Sequence, residues 1–134
     1  MGVVRRGSPL DADEFRLEHV RLDGIRIVAV HGECDLVSAP ELRDALTREL
    51  EEDDRSGVVI DLSRATVFDS TSLGMVVLAL KASRASGRKL GIVASTPAVR
   101  LPFEVAGLDK LVPIFATRGD AILATRESAN GDRA

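Results

Sequence analysis

Residues 58–80 read "VVIDLSRATVFDSTSLGMVVLAL": two apolar runs joined through a polar segment, Asp69-Ser70-Thr71-Ser72. The first run, within 56–63, has the composition of a short strand buried on both faces, as strands of a parallel sheet usually are. From Asp69 the pattern turns helical and closes at Gly87, with Lys81, Arg84 and Arg88 near the negative end of the helix. A strand that leads through a hydroxyl-rich loop into a helix is half of a β-α-β unit and points to an α/β fold.

The flanking sequence repeats that unit. Upstream, "EFRLEHVRL" (14–22) alternates apolar and polar residues, Asp23-Gly24 is a hairpin turn signal, and "IRIVAVHG" (25–32) is a β-branched strand, so an antiparallel hairpin opens the domain. "VSAPELRDALTRELEEDD" (37–54) is a helix with Leu42, Ala45, Leu46 and Leu50 on one face; Ser38 and Glu41 read as a capping box, with Pro40 in the first turn. Downstream come a buried strand "KLGIVAS" (89–95) and a helix "PAVRLPFEVAG" (97–107), opened by Thr96-Pro97 and expected to kink at Pro102. A brief strand "LVPIF" (111–115) follows, and Thr117 with Asp120 caps a last helix from Arg118. The order predicts a mixed, mostly parallel sheet opened by an antiparallel hairpin and flanked by about four helices. We expect one domain over 14–126, a flexible lead-in at 1–13 and a flexible tail at 127–134.

In such sheets functional groups gather at the carboxyl ends of strands. Two loops leave strand ends here and enter helices, "HGECDLVSA" (31–39) and "SRATVFDSTS" (63–72). If their strands are neighbours, Asp35 lies close to Asp69 and Ser70. Asp69 or Ser70 can serve as an N-cap, but Asp-Ser-Thr-Ser offers more caps than one helix uses. A phosphate on Ser70 would meet the positive end of the helix dipole and free amides, and would add about −1.5 to −2 charges beside Asp69 and Asp35. Asp35 is either a turn residue supporting the following helix, an acceptor for the Ser70 hydroxyl, or a ligand for a kinase-bound metal-nucleotide. Cys34 reads as a small buried filler. The run 81–89, "KASRASGRK", reads as a solvated helix end, with a docking patch as the other reading.

Composition narrows the function classes. With 134 residues, 45% hydrophobic, four Phe and neither Trp nor Tyr, the chain lacks a base-stacking surface, and its net charge of −3 disfavours a phosphate-backbone binder. No direct nucleic-acid partner is expected. A single cysteine excludes an internal disulfide and fits a reducing compartment. No apolar stretch approaches the roughly 20 residues of a membrane span, and the N-terminus shows neither a signal-peptide core nor the Ser or Thr that myristoylation expects. We therefore expect a cytoplasmic protein without membrane contact. His19 and His31 are isolated, so neither a metal site nor a cofactor is expected. There is no Gly-rich phosphate loop, no nucleophile elbow and no acidic pair of a response-regulator receiver, so we do not expect an enzyme.

The stretches "GECDLVSAPELRDAL" (32–46), "VVIDLSRATVFDSTSLGMVVL" (58–78) and "KLGIVASTPAVRLPFEVAGLDKLVPIFATRGDAI" (89–122) together resemble the STAS domain of anti-sigma factor antagonists over about residues 14–124. The resemblance implies a phosphorylation switch without a cofactor. The unphosphorylated form would bind an anti-sigma factor that is also a GHKL-type serine kinase and so release a sigma factor for transcription. A PP2C-type phosphatase would reset it. Residue by residue, it makes Ser70 the phosphoacceptor, with Thr71 and Ser72 as alternates, and assigns partner binding to Asp35, Asp69, Ser70, Thr71, Ser72 and Gly74. Two positions depart from the family pattern: Ser72 stands where glycine is usual, and Cys34 where an apolar residue is usual. A serine at 72 would add bulk to the contact surface and a further acceptor. It leaves open a second reading, a non-switching STAS scaffold subunit of a larger regulatory or lipid-transport complex. A third reading, a small enzyme using Asp35 and Ser70, needs a base at Ser70, for which His31 is the candidate.

Overall fold

The computed structural model describes residues 4–5, 13–52, 54 and 56–131. Its six strands are β1 (Val4–Arg5), β2 (Arg16–Leu22), β3 (Ile25–Cys34), β4 (Val58–Phe68), β5 (Leu90–Val93) and β6 (Ile114–Phe115). Its helices are α1 (Ala39–Glu51), α2 (Ser70–Ser86), α3 (Pro97–Val105) and α4 (Arg118–Gly131), with a short 3-10 turn at Leu108–Lys110. The strands lie in sequence order in one sheet. The pairs β1–β2 and β2–β3 are antiparallel, and β3–β4, β4–β5 and β5–β6 are parallel. This is the expected mixed sheet opened by a hairpin.

The hairpin turn is built by Asp23 and Gly24, both at positive φ (54° and 78°), a conformation Asp tolerates and Gly adopts freely. One face of the sheet, through Val28, Val30, Ile60 and Leu62, packs against Leu42 and Leu46 of α1, Leu73 and Val76 of α2, and Val99 and Phe103 of α3. The other face, through Ile25, Ile27, Val59 and Val93, packs against Ala121 and Ile122 of α4. Two cations, Arg88 buried and Arg118 half-buried, fasten these layers. The Arg88 guanidinium donates to the carbonyls of Glu49, Glu52 and Ser56, and the Arg118 Nε donates to Asp61 Oδ2 at 2.7 Å.

Four details differ from the sequence reading. The second long strand does not stop at Ser63 but runs to Phe68, because beyond the apolar run Ala65 and Phe68 still face the core while Arg64, Thr66 and Val67 face solvent. Ser38 stands at the N-cap position of α1, but its backbone is already helical (φ −88°, ψ −20°) and its side chain makes no cap bond; Asp35 accepts from the Val37 and Ser38 amides instead. Helix α3, with Pro102 inside it as expected, ends at Val105 and not at Gly107. At the termini, Val4–Arg5 pairs with Leu17 and Arg16 inside the expected lead-in, and α4 runs past residue 126 to Gly131. The rest of the lead-in (1–3, 6–12) and residues 132–134 lie outside the described residues. No described helix is long and apolar enough to cross a membrane.

Candidate functional site: the paired loops at the carboxyl ends of β3 and β4

The parallel register of β3 and β4 ends at Cys34 opposite Phe68, so the loops holding Asp35 and Asp69 leave the sheet side by side. A backbone bond ties them, with the Asp69 amide donating to the Cys34 carbonyl at 3.3 Å. Below this bond Cys34 is fully buried, and Phe68 stacks on Phe103 of α3 with ring centroids 5.6 Å apart. The site therefore stands on a packed floor.

The first loop owes its shape to Gly32. Its φ is 77°, the left-handed region that L side chains rarely adopt, and a Cβ there would collide with the Glu14 carbonyl. The strand slips register with β4 on either side of this residue, and the Glu33 amide donates to the Asp13 carbonyl at 2.9 Å. That kink delivers Asp35 to the mouth of α1. Its Oδ1 accepts from the amides of Val37 (3.1 Å) and Ser38 (3.4 Å) and from the Ser38 hydroxyl (3.3 Å), and its carbonyl accepts from the Ala39 amide at 2.8 Å. Asp35 is thus the structural start of α1. Among the described residues no hydrogen bond joins it to Ser70, which is what one of its sequence readings required.

The second loop is held by Asp69. Its backbone is extended (φ −94°, ψ −179°), its Oδ1 accepts from the Ser72 amide at 2.9 Å, and its carbonyl accepts from the Leu73 amide at 2.9 Å. This is the geometry of an N-cap. Ser70 becomes the first residue of α2, exposed, at the end where amides lack intrahelical acceptors. Thr71 is half-buried. Gly74 is half-buried and faces open space, with nothing within 4 Å of where a Cβ would stand.

Ser72 is a correction. With Asp69 as N-cap, residue 72 falls on the inner stripe of α2 with Leu73, Val76, Leu80 and Ser83, and its relative exposure is 0%. It cannot offer its hydroxyl to a kinase, or its side chain to a partner, while α2 is intact. The extra bulk relative to glycine points into the molecule, not onto the contact surface.

His31 does not stand at Ser70 as a base. Its Nε2 lies 3.1 Å from Glu18 Oε1 on the neighbouring strand, and no hydrogen bond links it to Ser70 among the described residues. The other histidine, His19, pairs with Glu49 at 2.9 Å. No group of three or more His, Cys, Asp or Glu residues suited to a metal occurs among the described residues.

Sequence reasoning missed the apolar part of the site. Leu36 and Val37, on the turn that begins at Asp35, are each 69% exposed, and Val67, two residues before Asp69, is 42% exposed. Contiguous exposed apolar patches are a common feature of interaction surfaces. The available signal was Leu36-Val37 itself, two apolar residues in a loop where no helical or strand period places them.

The site is thus an exposed hydroxyl at a helix start, beside two loops capped by Asp35 and Asp69 and the exposed Leu36 and Val37. Comparison with known proteins shows the family. The STAS domain model matches residues 16–121. The Mycobacterium tuberculosis protein named anti-sigma-F factor antagonist RsfB is 32% identical over 105 residues, covering 78% of this chain and 84% of that protein. The Staphylococcus aureus anti-sigma-B factor antagonist is 31% identical over 100 residues, covering 75% of this chain and 92% of that one. In three dimensions, the crystal structure of an anti-sigma factor antagonist from Mycobacterium paratuberculosis superposes with a TM-score of 0.79 at 31% identity, covering 90% of this chain and 99% of that one. The chain belongs to the STAS-domain family of anti-sigma factor antagonists.

Proposed function

We propose that this chain is a partner-switching antagonist. Its unphosphorylated form binds an anti-sigma factor that is also a GHKL-type serine kinase, and transfer of a phosphate to Ser70 ends the binding. A PP2C-type phosphatase restores the hydroxyl. The observation that carries the reading is the position of Ser70: exposed, first in α2, and linked through the Asp69–Cys34 backbone bond to the loop that exposes Leu36 and Val37. The names of the mycobacterial and staphylococcal relatives support it as well.

The apolar loop supplies contact area, while a neutral hydroxyl lets a partner surface close over the helix start. A phosphate there is tolerated by the chain itself, because free amides and the helix dipole favour an anion. The partner surface has no such compensation and meets about −1.5 to −2 added charges beside two carboxylates. Asp35 contributes chiefly by shaping the loop, since its Oδ1 is already engaged by the start of α1. Gly74 leaves space beside the helix for a partner backbone. The non-switching scaffold reading drew on bulk from Ser72 at the contact surface, and the burial of that residue removes the support.

The test is phosphorylation. The purified chain is incubated with MgATP and, singly, each serine-kinase anti-sigma factor of its host, and the modified residue is mapped by mass spectrometry. One phosphate on Ser70 is the expected result. A loop left unmodified by every kinase favours the scaffold reading.

A further inference from the structure

Helix α2 contains two buried serines that differ in one respect. Ser83, 1% exposed, donates its hydroxyl to the Leu80 carbonyl at 2.8 Å. Ser72, 0% exposed, has a hydroxyl that meets no hydrogen-bond partner among the described residues. The nearby Asp69 carbonyl is already used by the Leu73 amide and the Asp69 carboxylate by the Ser72 amide. A hydroxyl taken out of water without a bond raises the energy of the folded turn, and it regains a partner when the turn opens to solvent.

Gly74 adds to this. Its freedom gives helix a lower weight than any ordinary residue, and nothing in the molecule packs where its side chain would be. Both weakening features sit in the turns that carry Ser70. The other end of α2 is closed firmly: Gly87 at φ 73° makes a left-handed cap, and the Arg88 amide reaches the Ser83 carbonyl at 2.8 Å. Opening is therefore biased toward the N-terminal end.

We infer that Ser72 is a positioning residue for Ser70: its unpaired buried hydroxyl keeps the first turn of α2 close to opening, so that Ser70 leaves helical geometry to meet a kinase while the rest of α2 stays folded. Phosphoryl transfer needs the acceptor oxygen in line with the bond being broken. The Ser70 Oγ bonds to the γ-phosphorus of ATP, its proton passes to the kinase's base, and ADP departs. An opened turn lets the oxygen reach that line. The phosphoryl step rests on the reading of Ser70 given above; the opening of the turn does not.

Ser72→Ala and Ser83→Ala test this as a pair, because both delete one buried hydroxyl and change helix propensity equally. Site-resolved amide hydrogen exchange on the protein alone should slow at residues 72–75 in Ser72→Ala by about tenfold, equivalent to ~1.4 kcal/mol. The sheet amides should be unchanged, and Ser83→Ala should not slow residues 72–75. Exchange at 72–75 that changes by less than about twofold, that quickens, or that slows equally in Ser83→Ala overturns the inference. With a kinase found to modify Ser70, Ser72→Ala should lower kcat with KM little changed, and Ser83→Ala should alter neither. Slowed exchange with an unaltered kcat overturns the positioning role. Absence of any phosphorylation of the unsubstituted chain instead overturns the reading of Ser70, and exchange still decides whether Ser72 loosens the turn.

Discussion

Ser70→Asp separates what a negative charge at position 70 does to the chain from what it does to a complex. Position 70 begins a 17-residue helix, where an anion gains about 0.3–1 kcal/mol from the dipole and the free amides. Asp69, next to it, works in the opposite direction. Ser70 is exposed and engages no core contact, so the melting temperature should stay within about 4 °C of the parent. Against a docked partner the balance differs. A unit charge about 4 Å from an unfavourable group contributes up to ~4 kcal/mol at the effective dielectric of a protein surface, and partial solvation at the rim reduces this. Binding should weaken at least about tenfold, ~1.4 kcal/mol. Ser70→Ala, which removes only an exposed hydroxyl, should stay within about threefold of the parent. Isothermal titration of the anti-sigma factor into all three proteins, with thermal melts alongside, reads both quantities. Repeating the titration in high salt should narrow the Asp–Ala gap, because exposed charges are screened. Equal affinities for the Asp and Ala variants would falsify the electrostatic account. A large fall in melting temperature for Asp would show that loss of folding, not repulsion, weakened the complex.

Three other substitutions examine the supporting structure. Gly74→Ala should stabilise α2 by up to about 1 kcal/mol in urea unfolding, because helix propensity improves and the Cβ enters open space; a loss of stability would show that the space is needed internally. Gly32→Ala should destabilise the fold by about 2 kcal/mol or more, from left-handed strain and the collision with the Glu14 carbonyl, and a neutral result in the same assay would remove that residue from the account of the Asp35 loop. Arg118→Ala should lower stability at pH 7 by about 2 kcal/mol, less than the ~3–5 of breaking a fully buried pair because Arg118 is 34% exposed. Burial alone would raise the Asp61 carboxyl, but the bonds from Ser63 and Arg118 outweigh it and hold the group below the usual carboxylate range. A depressed native value means the stabilisation is present above the unfolded value of about 3.9 and lost as pH falls through the native one. The parent–variant gap should accordingly be full at neutral pH and shrink in acid; a gap that grows in acid contradicts that sign.

The architecture was legible because each element announces itself by a local rule. Asp23-Gly24 demands positive φ, the β-branched runs form the central strands, and Gly87 stops α2 in the left-handed conformation the sequence anticipates. The errors arise where two local rules compete. Ser38 and Glu41 satisfy a capping pattern, yet Asp35 lies close enough to cap the same helix, and the kink at Gly32 decides between them by aiming Asp35 inward. The far half of β4 has the sequence pattern of a loop because Arg64 and Thr66 interrupt its apolar run. Those side chains face solvent while β3 still supplies the hydrogen bonds, out to Phe68. Ser72 turned on a single-residue ambiguity: a helix capped at 69 and one capped at 70 differ by about 100° in which residues face inward. Once the Asp69 carboxylate is fixed on the Ser72 amide, the stripe Ser72, Leu73, Val76, Leu80, Ser83 follows from the helical period.

That fixed phase would let the proposed switch act without refolding the domain. Asp35 is committed to α1 and Asp69 to α2, so the two carboxylates that would repel a phosphate are themselves internal caps and do not depend on the Ser70 hydroxyl. Modifying Ser70 breaks none of these bonds. The loops are joined by one backbone bond over a floor of Cys34, Phe68 and Phe103, all 5% exposed or less, which does not yield to a charge at the rim. Under the proposed switch, the free-energy change of phosphorylation would consequently be expressed at the surface, in the complex. An interior in which Ser70 bonded Asp35 would instead couple every phosphorylation to a loss of native contacts, and binding and stability would change together. Their separate response to Ser70→Asp distinguishes the two designs, and the observed hydrogen bonds belong to the first.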